Sequence, residues 1–440
     1  MTLRILLIAS QFPPTNATGA RRPYYLARQL RDAGHVVTVL TSLRDEEQPW
    51  SVDMEGMHVH RFRTPSTPPW FTSWQGALHR AATRSRGGRG GRAIGLLAEL
   101  LLPLDHLHRW DPAPEVLEEL VGEQDVVVAT GPLWSMVQLG GEMARRCNAT
   151  FIADYRDPWT IALPEVGLHV LTYMGPWPAS WSRRLRHSAW ERKATREASF
   201  TAATKGLLQN ALLLNGERPA LQVYNGAPGP ATMPGMPKNP RFTLVYTGSV
   251  YREQEWDLVL RAVDLLERDH PEVAGTSRLL VVGMRTAHDS SLSDLGRRMD
   301  QRPTIERQAR LGREEVLGLQ QQADLLLHVG FGEKQVLPLK LFEYIASGRP
   351  IAQVGSGLSE QVEIIERTRT GTTLTTPEAF VDHWLECHAL WQAGEAIPFD
   401  PDKEAIAQFT WEVQMERFHQ FILERHAEKA GISGSEGPGR

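Results

Sequence analysis

The sequence predicts an α/β protein made of two doubly wound, parallel-sheet domains. Three observations carry the prediction. Short, continuously apolar runs alternate with segments of helical spacing along most of the 440 residues, and such runs suit parallel strands covered on both faces. The alternation stops at residues 226–240, where GAPGPATMPGMPKNP holds five prolines and three glycines and supports neither a helix nor a central strand. It then restarts, and the chain is long enough for two or three cores of about 100 to 200 residues each.

The elements follow in order. Leu3 to Ala9 reads as a first buried strand and Ser10 to Gly19 as a loop. Arg21 to Arg31 reads as a helix, from the spacing of Tyr25, Leu26 and Leu30, and Gly34 stops it. His35 to Thr41 is the next strand. Asp125 to Thr130 and Thr150 to Ala153 are strands around a helix at Ser135 to Arg146, and Ser199 to Ala203 and Leu221 to Tyr224 complete the first half. The second half reads as strands at Phe242 to Thr247, Arg278 to Val282, Ala323 to His328 and Pro350 to Val354. Helices fall near Asp257 to Glu267, Arg313 to Gln321 and Pro338 to Ser347. Helical patterns at Pro377 to Gln392 and Asp402 to Glu428 close the chain. The expected organisation is a first domain over 1–225, a linker over 226–240, a second domain over 241–400, a helical segment over 401–430 and an unfolded polar tail over 431–440. Open sheets of this kind bind ligands beyond the carboxyl ends of their strands, so the site is expected between the domains, on residues that follow strands.

Composition narrows the class. Apolar residues at 41% and charged residues at 23% fit a globular chain and exclude disordered, collagen-like and coiled-coil ones. Cys147 and Cys387 are the two cysteines, too few and too far apart for a disulfide framework or a thiolate metal site, which points to the cytoplasm. No apolar run nears the roughly 18 residues that span a bilayer, and the N-terminus lacks a signal-peptide cleavage site. The net charge of −4 hides an asymmetry. No acid occurs between Glu55 and Glu99, a stretch with seven arginines (Arg61, Arg63, Arg80, Arg84, Arg86, Arg89 and Arg92), which leaves −11 for the remainder. Arginines beside the apolar Ile94 to Leu102 suit anionic lipid headgroups, at about 1 kcal/mol per basic residue near the surface. Residues 80–102 are thus a candidate peripheral contact with the inner membrane face, where a lipid-linked acceptor would arrive; a solvated loop before a core helix is the plain alternative. Flotation with and without anionic lipid separates the two, and equal non-binding removes the membrane idea. Aromatic residues are not interleaved with the arginines, so nucleic acid is not an expected partner.

The strongest local signal is GEKQVLPLKLFEYIASGRP at 332–350. Pro338 suits a first helical turn and Gly348 a helix stop. A helix N-terminus that follows a strand and a loop offers free N–H groups to a diphosphate. Lys340 and Glu343, three apart, share a helix face, where a lysine neutralises phosphate and a carboxylate accepts from a ribose diol. An exposed ion pair on an ordinary amphipathic helix is the alternative. Only seven lysines stand against 41 arginines, and Lys334 and Lys340 both fall in this window.

This segment resembles the nucleotide-sugar site of family 4 glycosyltransferases. The opening ILLIASQFPPTNATGARRPYYLARQL resembles that family's first strand, glycine-containing loop and helix. ATGPLWS, ADYRDPW at 153–159, TKG at 204–206, Asn225-Gly226 and YTGSVY add to the resemblance, which runs over about residues 3 to 375. It implies the GT-B fold, with two Rossmann-like domains facing across a cleft, and retaining transfer of a sugar from a nucleotide-diphosphate donor to a hydroxyl acceptor. Such a hexosyltransferase would serve polysaccharide, glycolipid or glycoconjugate synthesis. In that reading Glu343 holds the donor ribose, and Arg252, Lys340, Lys334 and backbone N–H groups near Leu339 hold the diphosphate. Gly248 opens the second domain, and Gly19 lets backbone approach the phosphates. Arg21 and Arg22 line the acceptor side, while Arg156 and Asp157 serve the reacting face. Two departures stand out. The family's paired glutamates lie eight positions apart, which from Glu343 reaches Gln335, with Glu333 two residues earlier, so one of these takes the sugar. Where the family often has Arg and Lys after the opening glycine, Ser249 follows Gly248.

A metal is not expected. His58 and His60, and likewise His106 and His108, lack the further ligands that would complete a site, and Asp400-Pro401-Asp402 is not at a strand end. Neither a nucleophile elbow nor a phosphate-loop lysine motif occurs, which weighs against hydrolase and ATPase readings. Two alternatives stay open: a catalytically silent GT-B binding or assembly protein, and a nucleotide-sugar epimerase.

Overall fold

The structure is a computed structural model that describes residues 1–15, 17–43, 50–63, 114–120, 122–132, 134–157, 159, 188–229, 239–251, 253–284, 290–332, 336–357 and 359–431. Glu333, Lys334, Gln335, Arg252 and the block 80–102 lie outside them. The chain forms two compact units, Met1–Tyr224 with Gln414–Arg440, and Asn225–Val413.

The first unit runs β1 (Arg4–Ala9), α1 (Thr18–Asp32), β2 (Val36–Leu43), β3 (Ser51–Met54), β4 (Met57–Arg63), α2 (Pro114–Leu120), β5 (Val126–Gly131), α3 (Trp134–Arg146), β6 (Thr150–Tyr155), β7 (Ser199–Ala202), α4 (Lys205–Asn215) and β8 (Ala220–Gln222). The sheet order is β3-β4-β2-β1-β5-β6-β7-β8. Every pair is parallel except β3 with β4. The strand runs are continuously apolar because helices cover both faces; Leu6, Ile8, Val127, Ala129, Phe151 and Phe200 share one core cluster. Each such leucine, isoleucine, valine or phenylalanine contributes about 1.5–3 kcal/mol when fully buried.

The second unit runs β9 (Phe242–Thr247), α5 (Trp256–Asp269), α6 (Pro271–Thr276), β10 (Ser277–Val282), α7 (Ser290–Asp300), β11 (Ile305–Gln308), α8 (Arg313–Gln322), β12 (Leu325–Val329), α9 (Leu339–Ala346), β13 (Ile351–Val354), α10 (Glu360–Thr368), β14 (Gly371–Leu374), α11 (Pro377–Ala393) and α12 (Lys403–Ala407), and α13 (Trp411–Lys429) passes from it into the first unit at Gln414. Its parallel sheet has the order β11-β10-β9-β12-β13-β14. That order reverses direction between β9 and β12, the switch point at which doubly wound sheets open a crevice. Trp256 and Trp384 anchor the core.

The helix expected over Asp402 to Glu428 is two helices. Asp402 Oδ1 accepts from Ala405 N at 2.9 Å to start α12, and Thr410 then bridges Ala227. Trp411 N donates to the Ala227 carbonyl at 3.1 Å. The segment expected as a separate 401–430 piece is therefore divided, and its residues from Gln414 onward belong to the first unit. Gln414 Oε1 accepts from Tyr224 N at 2.7 Å there, and Lys429 Nζ donates to the Ala149 carbonyl at 2.7 Å. The start of the expected linker is likewise tied down, since Ala227 is fully buried and donates to the Phe409 carbonyl at 2.6 Å.

Candidate functional site

In the second unit the loops after β9 and β12 flank the switch point. Gly248 ends β9 at φ 97°, a conformation that favours glycine. Among the described residues, a Cβ built there meets one atom within 4 Å, Lys340 Cδ at 3.9 Å, so none of them crowds the backbone beside the lysine stem. Four side chains shape this end of the sheet. Tyr344 of α9 accepts through its hydroxyl from Thr247 N at 2.8 Å, which fixes the helix over the end of β9. Gln320 Nε2 donates to Thr247 Oγ1 at 2.9 Å. Gln254 Oε1 accepts from Tyr251 N at 2.9 Å and from the Tyr246 hydroxyl at 3.0 Å, while its Nε2 donates to the Val329 carbonyl at 3.0 Å. Glu255 Oε2 accepts from Gly332 N at 3.1 Å and Ser356 N at 2.9 Å, and Glu255 N donates to the Gly330 carbonyl at 3.0 Å. One carboxylate thus ties the loops after β12 and β13 together.

Helix α9 begins after Pro338 without a side-chain cap, which leaves its first-turn N–H groups and positive dipole end for an anion. Leu339 and Glu343 are its half-buried residues; the rest of the helix is buried. This corrects the expectation that Lys340 and Glu343 present one open face. Lys340 is instead buried, 9% exposed, with its ammonium on the Tyr246 hydroxyl and 3.7 Å from the centre of that ring. The reason is register: Lys340 lies one turn before Tyr344 and turns with it toward β9. Burial holds the Lys340 ammonium well below its ordinary value. His328 of β12 is fully buried behind it, with Nδ1 at 2.5 Å from Gln353 Oε1. Burial, then the Lys340 charge, push His328 down to about 3, so it is neutral.

In the first unit the order reverses between β1 and β5. Arg156, just after β6, spans that point: Nε donates to the Gly131 carbonyl at 2.9 Å, and its two terminal nitrogens donate to the Gly19 carbonyl at 2.5 Å and the Pro132 carbonyl at 3.4 Å. It braces the ends of β5 and β6 and the start of α1. The space over Gly19 is taken by this brace, since a Cβ there would lie 2.5 Å from Gln11 Oε1 and 3.0 Å from an Arg156 nitrogen. Asp157 is exposed beside it. Arg21 is half-buried at the start of α1.

Arg22 departs from its expected acceptor-side place. It is 2% exposed and pairs in a fork with Asp154, Nε to Oδ2 at 2.9 Å and a terminal nitrogen to Oδ1 at 2.7 Å. Its other terminal nitrogen donates to the Val223 carbonyl at 2.8 Å. Thr201 Oγ1 also donates to Asp154 Oδ1, at 2.8 Å. Burial alone raises the Asp154 carboxyl, but the Arg22 charge and these hydrogen bonds outweigh it and hold it below its ordinary range. Arg61, counted in the basic stretch, is 1% exposed on β4 and donates to the Pro13 carbonyl at 2.9 Å. The TKG match is a helix start, where Thr204 Oγ1 accepts from Leu207 N at 3.1 Å. Sequence reading passed over Asp154, Gln254 and Glu255. Asp154, an acid inside an apolar strand run, is the one with a visible signal. Among the described residues no three His, Cys, Asp or Glu side chains gather as metal ligands, and no helix is long and apolar enough to cross a membrane.

Comparison with known proteins bears on this geometry. Residues 241–389 match the family model described as "Glycosyl transferases group 1". Among solved structures, sucrose-phosphate synthase from Thermosynechococcus elongatus is similar at 13% identity and a TM-score of 0.58, over 97% of this chain and 100% of that one. A glycosyltransferase from Rickettsia africae is similar at 14% identity and 0.57, over 98% and 100%. So is a structure described as trehalose-6-phosphate from E. coli bound with UDP-2-fluoro glucose, at 10% and 0.58, over 95% and 98%. The fold is GT-B. No curated protein sequence matches the chain. The family match spans the GT-B unit that carries Gly248, Glu255, Lys340 and Glu343.

Proposed function

We propose that the protein is a retaining glycosyltransferase of family 4 type that moves a hexosyl group from a nucleotide-diphosphate sugar to a hydroxyl acceptor. One observation carries the reading: the match to glycosyl transferases group 1 falls on the unit whose switch point holds Gly248, the uncapped start of α9, Lys340 and Glu343. The UDP-sugar in one similar structure supports the same donor class. Glu343 holds the ribose. The α9 N-terminus at Leu339, with Lys340, Arg252 and Lys334, receives the diphosphate, and Gln335 or Glu333 takes the sugar. The departing diphosphate gains negative charge as the glycosidic bond breaks, so donors already aimed at its oxygens lower the barrier without reorganising. In the first unit Arg156 holds the shape of the strand ends, and Arg21 and Asp157 face the acceptor. A lipid-linked acceptor, reached through residues 80–102, and a place in polysaccharide or glycoconjugate synthesis at the inner membrane face belong to the same proposal.

The binding-protein reading is favoured by Lys340 being turned onto Tyr246. A screen of nucleotide sugars decides between the two. The transferase reading predicts release of nucleoside diphosphate from one donor, faster with acceptor, and a product of retained anomeric configuration. Nucleotide binding without turnover of any donor would establish the silent binder instead.

A further inference from the structure

Lys340 is the one buried lysine at the switch point, and its hydrogen bonding is incomplete. An ammonium has three donors, yet the Tyr246 hydroxyl is the only oxygen it meets among the described residues. That hydroxyl also lies 2.8 Å from the Ser249 carbonyl and 3.0 Å from Gln254 Oε1, so its own proton has an acceptor. Among the described residues, the titratable groups around the lysine are Tyr246 of β9 with Tyr251 in the following loop, His328 of β12, and Glu343 and Tyr344 of its own helix. None of the described carboxylates forms an ion pair with it, and burial, the first cause of the His328 shift, keeps that imidazole neutral without help from a lysine charge. The Tyr246 ring face, 3.7 Å away, attracts a cation, but a single ring at this distance offsets only part of the loss of water around a buried ammonium. Together these features favour a neutral amine in the empty site. Beside it is Gly248, where a Cβ would meet no described atom within 4 Å other than Lys340 Cδ.

We infer that a nucleoside diphosphate binds at this switch point together with a proton, which Lys340 takes from solvent as its amine becomes an ammonium facing the diphosphate. The inference rests on the donor-site reading above and deepens it. Tyr246 is the positioning residue: its hydroxyl holds the amine before the nucleotide binds and has its own proton shared between the Ser249 carbonyl and Gln254 Oε1, so the lysine can turn away without leaving that hydroxyl unsatisfied. The anion and the proton arrive together because each offsets the burial cost of the other's charge. Nucleotide affinity should accordingly fall as pH rises through the range in which Lys340 is neutral before binding.

Calorimetry on the full chain tests this with UDP and GDP, in two buffers of different ionisation enthalpy at about pH 8, where the nucleotide phosphates are already fully ionised. The expected result is a binding enthalpy that differs between buffers by close to one proton taken up, and loss of that difference in Lys340→Arg. Equal enthalpies in the two buffers for the unaltered protein overturn the proposal while leaving the donor site standing. Failure of both nucleotides to bind overturns the donor-site reading and the proposal with it. A second measurement needs neither ligand nor folded variant: with isotope-labelled lysines, one of the seven should titrate well below the rest in the empty protein. Seven ordinary titrations overturn the inference.

Discussion

Arg22 and Arg156 show what a residue's neighbours in sequence conceal. Both arginines follow a strand by a loop or a single residue, and both read as cations free to meet a substrate. Arg22 is instead locked to Asp154, 132 positions away, and Arg156 to carbonyls at the end of β5 and the start of α1. Nothing local distinguishes a guanidinium aimed at solvent from one aimed at a distant carboxylate; the partner is set by the fold. Lys340 is a similar case, since its spacing from Glu343 was legible and its turn toward Tyr246 was not. Glu343 and Leu339, the half-buried stripe of α9, lie where the sequence placed them. The Arg22–Asp154 pair makes a prediction at this scale. Removing one member leaves an unpaired buried charge, at a cost of about 3–5 kcal/mol. Arg22→Met should lower the unfolding free energy from denaturant titration by that much, whereas Arg22→Met with Asp154→Leu should recover a large part. Equal loss in both variants would mean that the pair contributes through packing alone.

Elements were legible where their two faces are alike. The central strands, apolar on both sides, stand where the continuous runs predicted them. Strands at or next to three of the four sheet edges did not show: β3 and β4 alternate polar and apolar residues around the turn at Glu55-Gly56, and β11 and β14 are four-residue strands with partly exposed residues. The break between α12 and α13 was hidden because Thr410 bridges a residue far back in the chain. The same C-terminal segment carries a pH prediction. His35 Nδ1 accepts from Leu3 N at 3.1 Å, and its Nε2 lies 2.9 Å from His419 Nε2, whose Nδ1 is 3.5 Å from Glu416 Oε2. The amide of Leu3 requires a bare Nδ1 on His35, so the chain of contacts needs His35 neutral. Burial first, then His419 and the N-terminal amine, hold His35 below its ordinary value. A depressed histidine lends stability that is full above the unfolded value of about 6.5 and is lost as pH falls below it toward the folded value. Hydrogen exchange over residues 414–429, corrected for the intrinsic effect of pH, should therefore quicken as pH drops below about 6.5. His35→Gln should flatten that dependence, and protection unchanged with pH in the unaltered protein would contradict it.

At the scale of the whole molecule, two parallel sheets and their order of elements follow from a pattern repeated over hundreds of residues, which individual misreadings do not disturb. That redundancy is why the fold was legible while the site was legible only in part. A site depends on a few side chains whose orientation is set by contacts distant in sequence. Four residues assigned to the donor, Arg252, Glu333, Lys334 and Gln335, lie outside the described structure, so the account rests on Gly248, Leu339, Lys340 and Glu343. Its central claim is that the second unit binds a nucleoside diphosphate through the start and the Glu343 face of α9. Calorimetric titration of the full chain and of Glu343→Ala with UDP and GDP tests this most directly. One nucleotide should bind the unaltered protein and bind Glu343→Ala at least about tenfold more weakly, or 1.4 kcal/mol, with the circular dichroism spectrum unchanged. Equal affinity for both proteins, or no binding of either nucleotide to the unaltered one, would contradict it.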